Sequence, residues 1–490
     1  WGMQYSMGEI PYYVYEFFKK GIEDGNNYYS LSQTRSRSAA FFANATYSYK
    51  GRYTVNGTAR YEGTNRMGKS RSARWLPTWN VSGAWNAHEE KFFSNLTSVL
   101  SHFTLKASYS LTADRGPADV TNSQAIITSY SPYRPFTSIQ ESGLYIKELE
   151  NSELTYEKKH ELNIGADMGF LNNRINLAVD WYKRNNYDLI GIVNTQGAGG
   201  QILKYANIAS MKSHGIEFTL STKNIKTKDF NWNTDFIFSN AKNEVTDLKQ
   251  NANVMELISG NGFAKQGYPV RGLFSIPFVG LDKDGIPVII NEKGEATSTD
   301  INFQERQNTG FLKYEGPTDP TITGSLGNMF SYKGFRLNLF ITYSFGNVIR
   351  LNPVFKAYYS DLTAMTREFK NRWTLPGDEA KTNVPAILSK RMYDSNEDLK
   401  YAYNAYNYST ERIAKGDFIR LKEISLAYDF PKAWINPLKL TDLSLKVQAT
   451  NLFLIYADDK LNGQDPEFFN AGGVASPVPR QFTITLRLGL

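Results

Sequence analysis

The chain has 490 residues, with 55 Lys and Arg against 48 Asp and Glu, a formal net charge of +7 and no cysteine. The lack of cysteine excludes disulfides and thiolate metal sites, and the scattered basic residues do not form the clustered footprint of a nucleic-acid-binding protein. No run of about 18 apolar residues occurs, so the sequence predicts no transmembrane helix, and no signal peptide opens it.

Residues 1–37 are aromatic-rich but irregular, and they are predicted to hold a loop and the end of a preceding strand. From Ser38 onward, apolar and polar residues alternate, which is typical of strands with one apolar and one polar face. The first two strands, ending at Tyr49 and beginning at Tyr53, are joined by Lys50-Gly51-Arg52. We interpret the abrupt start at Trp1 as that of a fragment or a processed chain.

The clearest hairpin runs from Glu161 to Arg184, where two alternating segments flank Leu171-Asn172-Asn173. Asparagine tolerates left-handed backbone angles and therefore favours a turn at this break. Each strand is about ten residues long, roughly the length with which a tilted strand crosses a bilayer. Strands of a soluble β-sandwich are usually about five or six residues long. One hairpin does not distinguish a membrane barrel from a soluble β-sandwich. Repetition of the pattern along the chain can distinguish them.

The alternating pattern recurs often enough to predict thirteen strands. Their approximate bounds are Ser38–Tyr49, Tyr53–Glu62, Trp75–Trp85, Phe103–Leu111, Glu161–Phe170, Arg174–Arg184, Met211–Ser221, Phe230–Ser239, Thr321–Tyr332, Phe335–Ser344, Phe418–Phe430, Leu443–Thr450 and Gln481–Leu490. A brief helix is predicted within Glu89–Asn95, and a short hairpin-like piece within Gly272–Ile289.

The connections between these strands alternate between short and long, which is typical of outer-membrane barrels with short periplasmic turns and long extracellular loops. Loops of roughly forty to eighty residues would argue against a compact soluble domain. The mean hydropathy of −0.44 fits polar lumen faces and loops. The sequence therefore predicts an all-β fold, a transmembrane antiparallel β-barrel. Polar strand residues are expected to line its lumen, namely Asn163, Asp167, Asn176, Asp180, Asn338 and Gln448.

A series of ordered motifs runs through most of the chain. They are Tyr47–Tyr61 with Glu62–Arg66, Leu76-Pro77-Thr78, Gly83-Ala84-Trp85, Glu157–Phe170, Asn207–Glu217, Tyr332–Phe335, Phe418–Lys422 with Leu426–Tyr428, Asn451–Phe453 and Asp465-Pro466-Glu467. In these motifs the chain resembles TonB-dependent outer-membrane transporters of the SusC/RagA type.

The resemblance implies a bacterial outer-membrane barrel of about 22 strands with an N-terminal plug in its lumen. It implies TonB as a partner through the plug, a SusD-like surface lipoprotein over the extracellular loops, and an oligosaccharide or oligopeptide as cargo. Residues 38–490 would then be the C-terminal 13–14 strands. The plug, the TonB box and the earlier strands are expected on a separate chain, because an open half-barrel leaves unpaired edges. Since family members usually end on an aromatic residue, one or two residues are expected after Leu490.

The predicted function is therefore part of an energy-coupled importer, with membrane lipid or lipopolysaccharide around it and no cofactor. The alternatives are a passive porin, which would lack an upstream plug and TonB box, and a secreted β-rich adhesin or carbohydrate-binding protein, which would be soluble without detergent. No nucleic-acid partner is expected.

No motif predicts an enzyme. His88, His102, His160 and His214 lie far apart without metal-ligand spacing, and His88-Glu89-Glu90 lacks the second histidine of a metalloprotease motif. The segments Gly197–Gly200 and Asp282–Gly285 read as a loop and a plain turn rather than a nucleotide or calcium site.

The binding candidate is an aromatic segment, predicted to be a loop, at residues 401–408. Tyrosine rings stack on sugars or peptide side chains, and asparagine forms adaptable hydrogen bonds. The candidate ligand-binding residues are Tyr401, Tyr403, Asn404, Tyr406, Asn407 and Tyr408. The alternative, given more weight, is that these side chains pack the loop against its neighbours.

Overall fold

The computed structural model describes residues 16, 19–20, 37–67, 71–116, 125–130, 142–194, 197, 203–357, 359, 362, 365–469 and 477–489. Most of the predicted N-terminal loop, most of the Gly197–Gly200 segment and the terminal Leu490 lie outside these residues. Within them, no helix has both the length and the apolar character needed to cross a membrane.

Thirteen strands form a single antiparallel sheet in which each strand pairs with its neighbours in sequence, so the predicted strand count is confirmed. The strands are β1 Ser38–Tyr49, β2 Tyr53–Thr64, β3 Trp75–Asn86, β4 Leu100–Asp114, β5 Glu157–Phe170, β6 Ile175–Asn194, β7 Leu203–Lys226, β8 Phe230–Leu248, β9 Ile322–Tyr332, β10 Phe335–Phe345, β11 Phe418–Asp429, β12 Asp442–Ala457 and β13 Gln481–Gly489. β6 and β7, with 20 and 24 residues, are about twice the predicted length.

The tight turns have the backbone angles that their residues favour. Leu171, Asn172 and Asn173 between β5 and β6 have φ of 52°, 55° and 57°, as expected for a left-handed turn. Between β9 and β10, Lys333 and Gly334 have φ of 44° and 90°, which suits the two-residue hairpin loop of right-twisted strands.

The sheet has one polar and one apolar face, as the alternation predicts. On the polar face, Lys106 pairs with Asp167 at 2.7 Å, and a shallow cavity of about 330 Å³ is lined in part by Asn163 and Asp180. Asn338 and Gln448 lie in one row on this face, since both flank Ser425 in the register. The apolar face exposes large side chains such as Ile164 and Ile216, so it is the face suited to lipid.

The connections alternate between the two ends of the sheet, and the three longest, residues 115–156, 249–321 and 346–417, all lie at the end opposite the tight turns at residues 50–52, 171–174 and 333–334. Short helical segments, several of them 3-10, occupy the connections: Arg71–Arg74, Ala87–Glu89, Lys91–Asn95, Val254–Ile258, Arg367–Asn371, Asp378–Ala380, Lys390–Ser395, Leu399–Asn407, Thr410–Arg412, Lys432–Ile435, Asn436–Leu438, Asp459–Leu461 and Pro466–Phe468. The predicted helix near Glu89–Asn95 is thus confirmed as two short 3-10 turns.

Small strands also occur in the long connections. They are Ile126–Tyr130 paired with Gly143–Glu148, Gly272–Ser275 with Lys313–Pro317, Phe278–Leu281 with Pro287–Ile290 and then Ala296–Thr297, and Val348–Arg350 with Ile413–Lys415. The predicted piece at Gly272–Ile289 is therefore only partly one hairpin, because its first strand pairs with Lys313–Pro317 instead.

Three long connections, residues 249–321, 346–417 and 458–469, pack together into a folded unit that we call the cap. One apolar cluster joins the first two, placing Val254, Leu257, Phe274 and Ile276 against Ala405. A second cluster adds Phe355, Leu388 and Tyr406, and a third brings Leu461 against Ile349. Burial of these side chains gives the cap a core of its own, so these connections are not extended loops.

Candidate functional site

The predicted aromatic loop is a helix in the structure, Leu399–Asn407. Leu399, Ala402, Tyr403 and Tyr406 are spaced by three or four residues, so they form one helical stripe that packs into the cap core. The alternation of Tyr with Ala and Asn obscured this spacing. Leu399, just before the aromatic segment, was the signal that could have revealed it.

Three of the six candidate residues are buried and hold the cap together. The hydroxyl of Tyr403 donates to the carbonyl of Ala386 at 2.6 Å. Asn407 donates through Nδ2 to the Phe355 carbonyl at 2.7 Å and accepts from the Phe355 amide at 3.1 Å. Tyr406, 2% exposed, packs edge-on against Phe355 at 5.2 Å between ring centroids. In this structure these side chains serve packing, the alternative that the sequence analysis favoured.

Burial also raises the pKa of the Tyr403 and Tyr406 hydroxyls, because the charged phenolate is poorly solvated in the cap core. Both side chains therefore remain neutral at physiological pH. They act as apolar rings and, for Tyr403, as a hydrogen-bond donor, not as acids or nucleophiles.

The other three candidates, Tyr401, Asn404 and Tyr408, are exposed or half-buried. Asn404 and Tyr408 line a cavity of about 420 Å³ together with Lys356 and Lys400. Within the described part of the chain the Asn404 side chain forms no hydrogen bond, so its amide is free to meet a ligand. The cavity thus combines a ring, an amide and two cations, which suits a polar oligomer.

Arg350 lies behind this cavity, with the centre of its guanidinium group 5.9 Å from the Tyr408 ring centroid. It is 4% exposed, and no carboxylate of the described residues lies within ion-pair distance. Nη1 donates to the carbonyl of Ser409 at 2.8 Å, and Nη2 donates to the Phe274 carbonyl at 2.6 Å and the Ser275 hydroxyl at 3.0 Å. Burial lowers the pKa of Arg350. This arginine joins two of the three connections that build the cap.

A second cavity, of about 400 Å³, lies where the β12–β13 connection folds against β11. Arg420 and Asp465 meet there at 2.6 Å, and Glu467 lies 3.2 Å from the same guanidinium. The pair is nearly buried, with side-chain exposures of 6% and 8%. The Arg420 motif and the Asp465 motif, far apart in sequence, are therefore brought together as a tether for the connection.

No group of three or more histidine, aspartate or glutamate side chains suited to a metal occurs among the described residues. Two of the histidines, although far apart in sequence, are close in the structure. The pairing of β3 with β4 brings the ring centroids of His88 and His102 to 4.4 Å. The turn at Asp282 uses its carboxylate internally, since Oδ1 accepts the backbone amides of Asp284 and Ile286 at 2.9 Å.

The cap contains one strongly perturbed carboxyl group, which predicts a local response to acid. The pKa of Asp378 is lowered to about 2 because the Leu375 amide, the Thr374 hydroxyl and amide, and Lys381 all stabilise its anion. In an open segment its pKa returns towards 3.8. Stability from the anion is therefore fully present above about pH 4 and is lost as the pH falls towards about 2.

We expect hydrogen exchange in peptides covering residues 373–382, corrected for intrinsic rates, to increase between pH 5 and pH 3 in the wild-type protein. Asp378→Asn should exchange faster already at pH 5 and respond less to acid than the wild type, with the remaining response coming from Glu379, whose pKa is also lowered by hydrogen bonds, first of all from Trp373. A wild-type segment that responds to acid as little as the variant would contradict the assignment.

Comparison with known proteins gave a family match and several relatives. The family model described as "TonB dependent receptor-like, beta-barrel" matches residues 2–452. The chain is 26% identical over 515 residues to the TonB-dependent receptor SusC of Bacteroides thetaiotaomicron, covering 97% of this chain and 47% of SusC. It is 25% identical over 446 residues to a TonB-dependent receptor of Formosa agariphila, covering 87% of this chain and 41% of the relative.

A solved structure, the RagAB peptide transporter, has the same fold, with a TM-score of 0.74 and 24% identity over 94% of this chain and 48% of that one. The chain thus spans about half the length of the relatives it matches. The family match favours the transporter interpretation over the porin and the secreted adhesin considered from the sequence.

Proposed function

Because the chain belongs to the TonB-dependent receptor-like β-barrel family, whose members lie in the bacterial outer membrane, we propose that it forms the C-terminal wall and extracellular cap of an outer-membrane importer. The family is one of receptors and transporters rather than enzymes. In our proposal the cargo is an oligosaccharide or oligopeptide, a SusD-like lipoprotein delivers it to the cap, and TonB supplies energy through a plug belonging to the other half of the barrel.

The observation that carries this proposal is the cap itself. Two connections of about seventy residues, at the end of the sheet opposite the tight turns, fold around a shared core, and the second of them lines the cavity that contains Lys356, Lys400, Asn404 and Tyr408. In a membrane barrel the long connections face the outside, where nutrients arrive.

The cavity suits a polar oligomer better than a single small ion. Tyr408 offers a ring face, Asn404 offers an amide that both donates and accepts, and Lys356 and Lys400 offer donors only. Sugars and peptide backbones both need donors and acceptors together with a flat apolar surface. A cargo of either class would meet its complement in this cavity.

The test is uptake by cells that express the complete transporter with its partners. Labelled oligosaccharides and oligopeptides should accumulate inside, and dissipating the inner-membrane proton gradient should stop the accumulation. Mass spectrometry of the transporter purified in detergent should find the upstream half and a surface lipoprotein with it. Uptake that survives loss of the proton gradient would overturn the importer in favour of a porin.

Asn404→Ala is expected to weaken cargo binding by about twofold to twelvefold, the value of one lost hydrogen bond of roughly 0.5–1.5 kcal/mol. Asn261→Ala, which removes an exposed amide elsewhere in the cap, is the matched control. The measurement is the concentration dependence of uptake or of cargo binding to the purified transporter. Equal binding by both variants and the wild type would remove the cavity from the cargo path and leave the energy-coupled import itself standing.

A further inference from the structure

Three basic or imidazole side chains lie side by side on neighbouring strands of the apolar face. Lys183 of β6 is directly opposite His214 of β7, and His214 is directly opposite Lys242 of β8. All three side chains are exposed. Directly opposed residues have their Cβ atoms about 4.5–5.5 Å apart, and like charges in such positions repel each other.

The row faces outward, away from the polar face. Tyr182 and Arg184, the sequence neighbours of Lys183, lie on the other face, where Arg184 pairs with Glu161 at 3.1 Å. One step along the strands towards the short turns, the outward side chains are Trp181, Ile216 and Asn240, of which the first two are 37% and 39% exposed. The row therefore borders the apolar surface directly.

The position of the row along the strands matches the outer rim of the bilayer. Lys183 is eight residues from Ile175 at the short-turn end of β6, and Lys242 is twelve residues from Phe230 at that end of β8. At about 3.3 Å per residue and a tilt of about 40°, these distances correspond to heights of roughly 20–30 Å. The apolar band of an outer-membrane barrel is about 25 Å tall. The three side chains thus reach the level of lipid headgroups.

The two lysines of this row have no carboxylate partner among the described residues. On the polar face, Lys106, Lys159 and Arg184 each pair with a carboxylate at 2.7–3.1 Å. On the apolar face, Lys212 pairs with Glu244 at 3.0 Å, but neither Lys183 nor Lys242 forms an ion pair within the described part of the chain. Two unpaired cations beside low-dielectric lipid are unfavourable unless an anion lies against them.

We propose that Lys183, His214 and Lys242 form a docking site for the phosphate groups of a phosphorylated glycolipid of the outer leaflet, the lipid A part of lipopolysaccharide. The two ammonium groups and the imidazole supply donors to the phosphate oxygens, as charge-assisted hydrogen bonds require. Trp181 and Ile216 offer the surface for the acyl chains of the same molecule. A soluble anion would not contact the adjoining apolar surface. The cationic row and the apolar surface together therefore favour a lipid as the ligand.

The test uses the complete transporter purified from outer membranes, stripped of lipid in detergent, and then given defined lipid A. Native mass spectrometry should show lipid A bound to the wild-type protein, and lipid A from which the phosphates have been removed should bind much more weakly. The double variant Lys183→Gln/Lys242→Gln should bind phosphorylated lipid A about twenty- to thirtyfold more weakly, since each cation near an anionic lipid contributes about a factor of five.

The matched control is Lys283→Gln/Lys370→Gln, which removes the same charge from exposed positions in the cap and should bind like the wild type. Equal binding of phosphorylated and dephosphorylated lipid A by the wild type would overturn the proposal, as would unchanged binding by Lys183→Gln/Lys242→Gln. Equal losses in both double variants would also overturn it, since they would show a general effect of net charge. The cargo of the transporter does not enter this test.

Discussion

Replacing Arg350 with methionine is expected to destabilise the cap by about 2–4 kcal/mol. Methionine fits the length of the side chain but donates no hydrogen bond. The carbonyls of Phe274 and Ser409 and the hydroxyl of Ser275 would lose the donors that now lie 2.6–3.0 Å away. Each buried group left unpaired costs about 1–3 kcal/mol, and removing a buried cation offsets only part of that sum.

The measurement is hydrogen exchange in the purified transporter, read in peptides that cover residues 272–276, 348–352 and 409–413. All three segments should exchange faster in Arg350→Met, because one guanidinium joins them. The strands of the sheet should not change. Loss of order at Tyr408, whose ring lies 5.9 Å from this guanidinium, should also weaken cargo binding at the cavity.

Arg271→Met is the matched control, because Arg271 pairs with Asp319 at 2.7 Å at the surface, with both side chains about half exposed. An exposed pair contributes about 0–1 kcal/mol, so this variant should exchange like the wild type. If the three segments exchanged as slowly in Arg350→Met as in Arg271→Met, the Arg350 guanidinium would not be what joins them.

The strands of this protein could be predicted from the sequence because each one is a two-sided surface. The alternation from Leu162 to Phe170 reflects the two environments of the strand, lipid on one face and water on the other. A shift of one residue in the strand register would put polar side chains such as Asp167 into lipid. The turns were equally local, since Asn172, Asn173 and Gly334 favour positive φ by themselves.

The cap could not be predicted in the same way, because its elements are stabilised by contacts across long stretches of sequence. The helix Leu399–Asn407 buries its apolar face against Phe355 and Leu388, and nothing in the sequence of the helix itself indicates these partners. Arg350 looks like any surface arginine in the sequence, yet its three acceptors lie 59 to 76 residues away. The sequence therefore predicted an aromatic segment as the candidate site, but it could not show which side chains of that segment are buried.

Asp465→Asn is expected to cost about 3 kcal/mol and to release the β12–β13 connection from the sheet. Both carboxylate oxygens of Asp465 lie 2.6 Å from Nη2 of Arg420. The substitution keeps the size of the side chain and an oxygen that can accept the Glu467 amide, now at 3.1 Å, but it removes the negative charge. Breaking a buried ion pair in this way costs about 3–5 kcal/mol, and Glu467 at 3.2 Å from the guanidinium holds the cost near the lower limit.

The control is Asp429→Asn, which breaks another arginine–aspartate pair, that of Arg336 and Asp429 at 2.9 Å, with exposures of 51% and 49%. We expect less than about 1 kcal/mol there. The two variants are compared by thermal unfolding of the detergent-purified transporter. Unfolding is monitored as the temperature at which the gel mobility of the folded protein changes to that of the unfolded chain. Protease cleavage within residues 458–469 should increase only in Asp465→Asn.

The double variant Arg420→Met/Asp465→Leu separates the two possible causes of such a loss. If the cost of Asp465→Asn arises from a buried cation without its partner, then removing both charges should restore most of the stability, because apolar residues of similar size often replace a buried pair without cost. If the double variant were as unstable as Asp465→Asn, the hydrogen bonds themselves would hold the connection. In that case the hydrogen bonds of Arg420, rather than its charge, would maintain the 400 Å³ cavity that it lines.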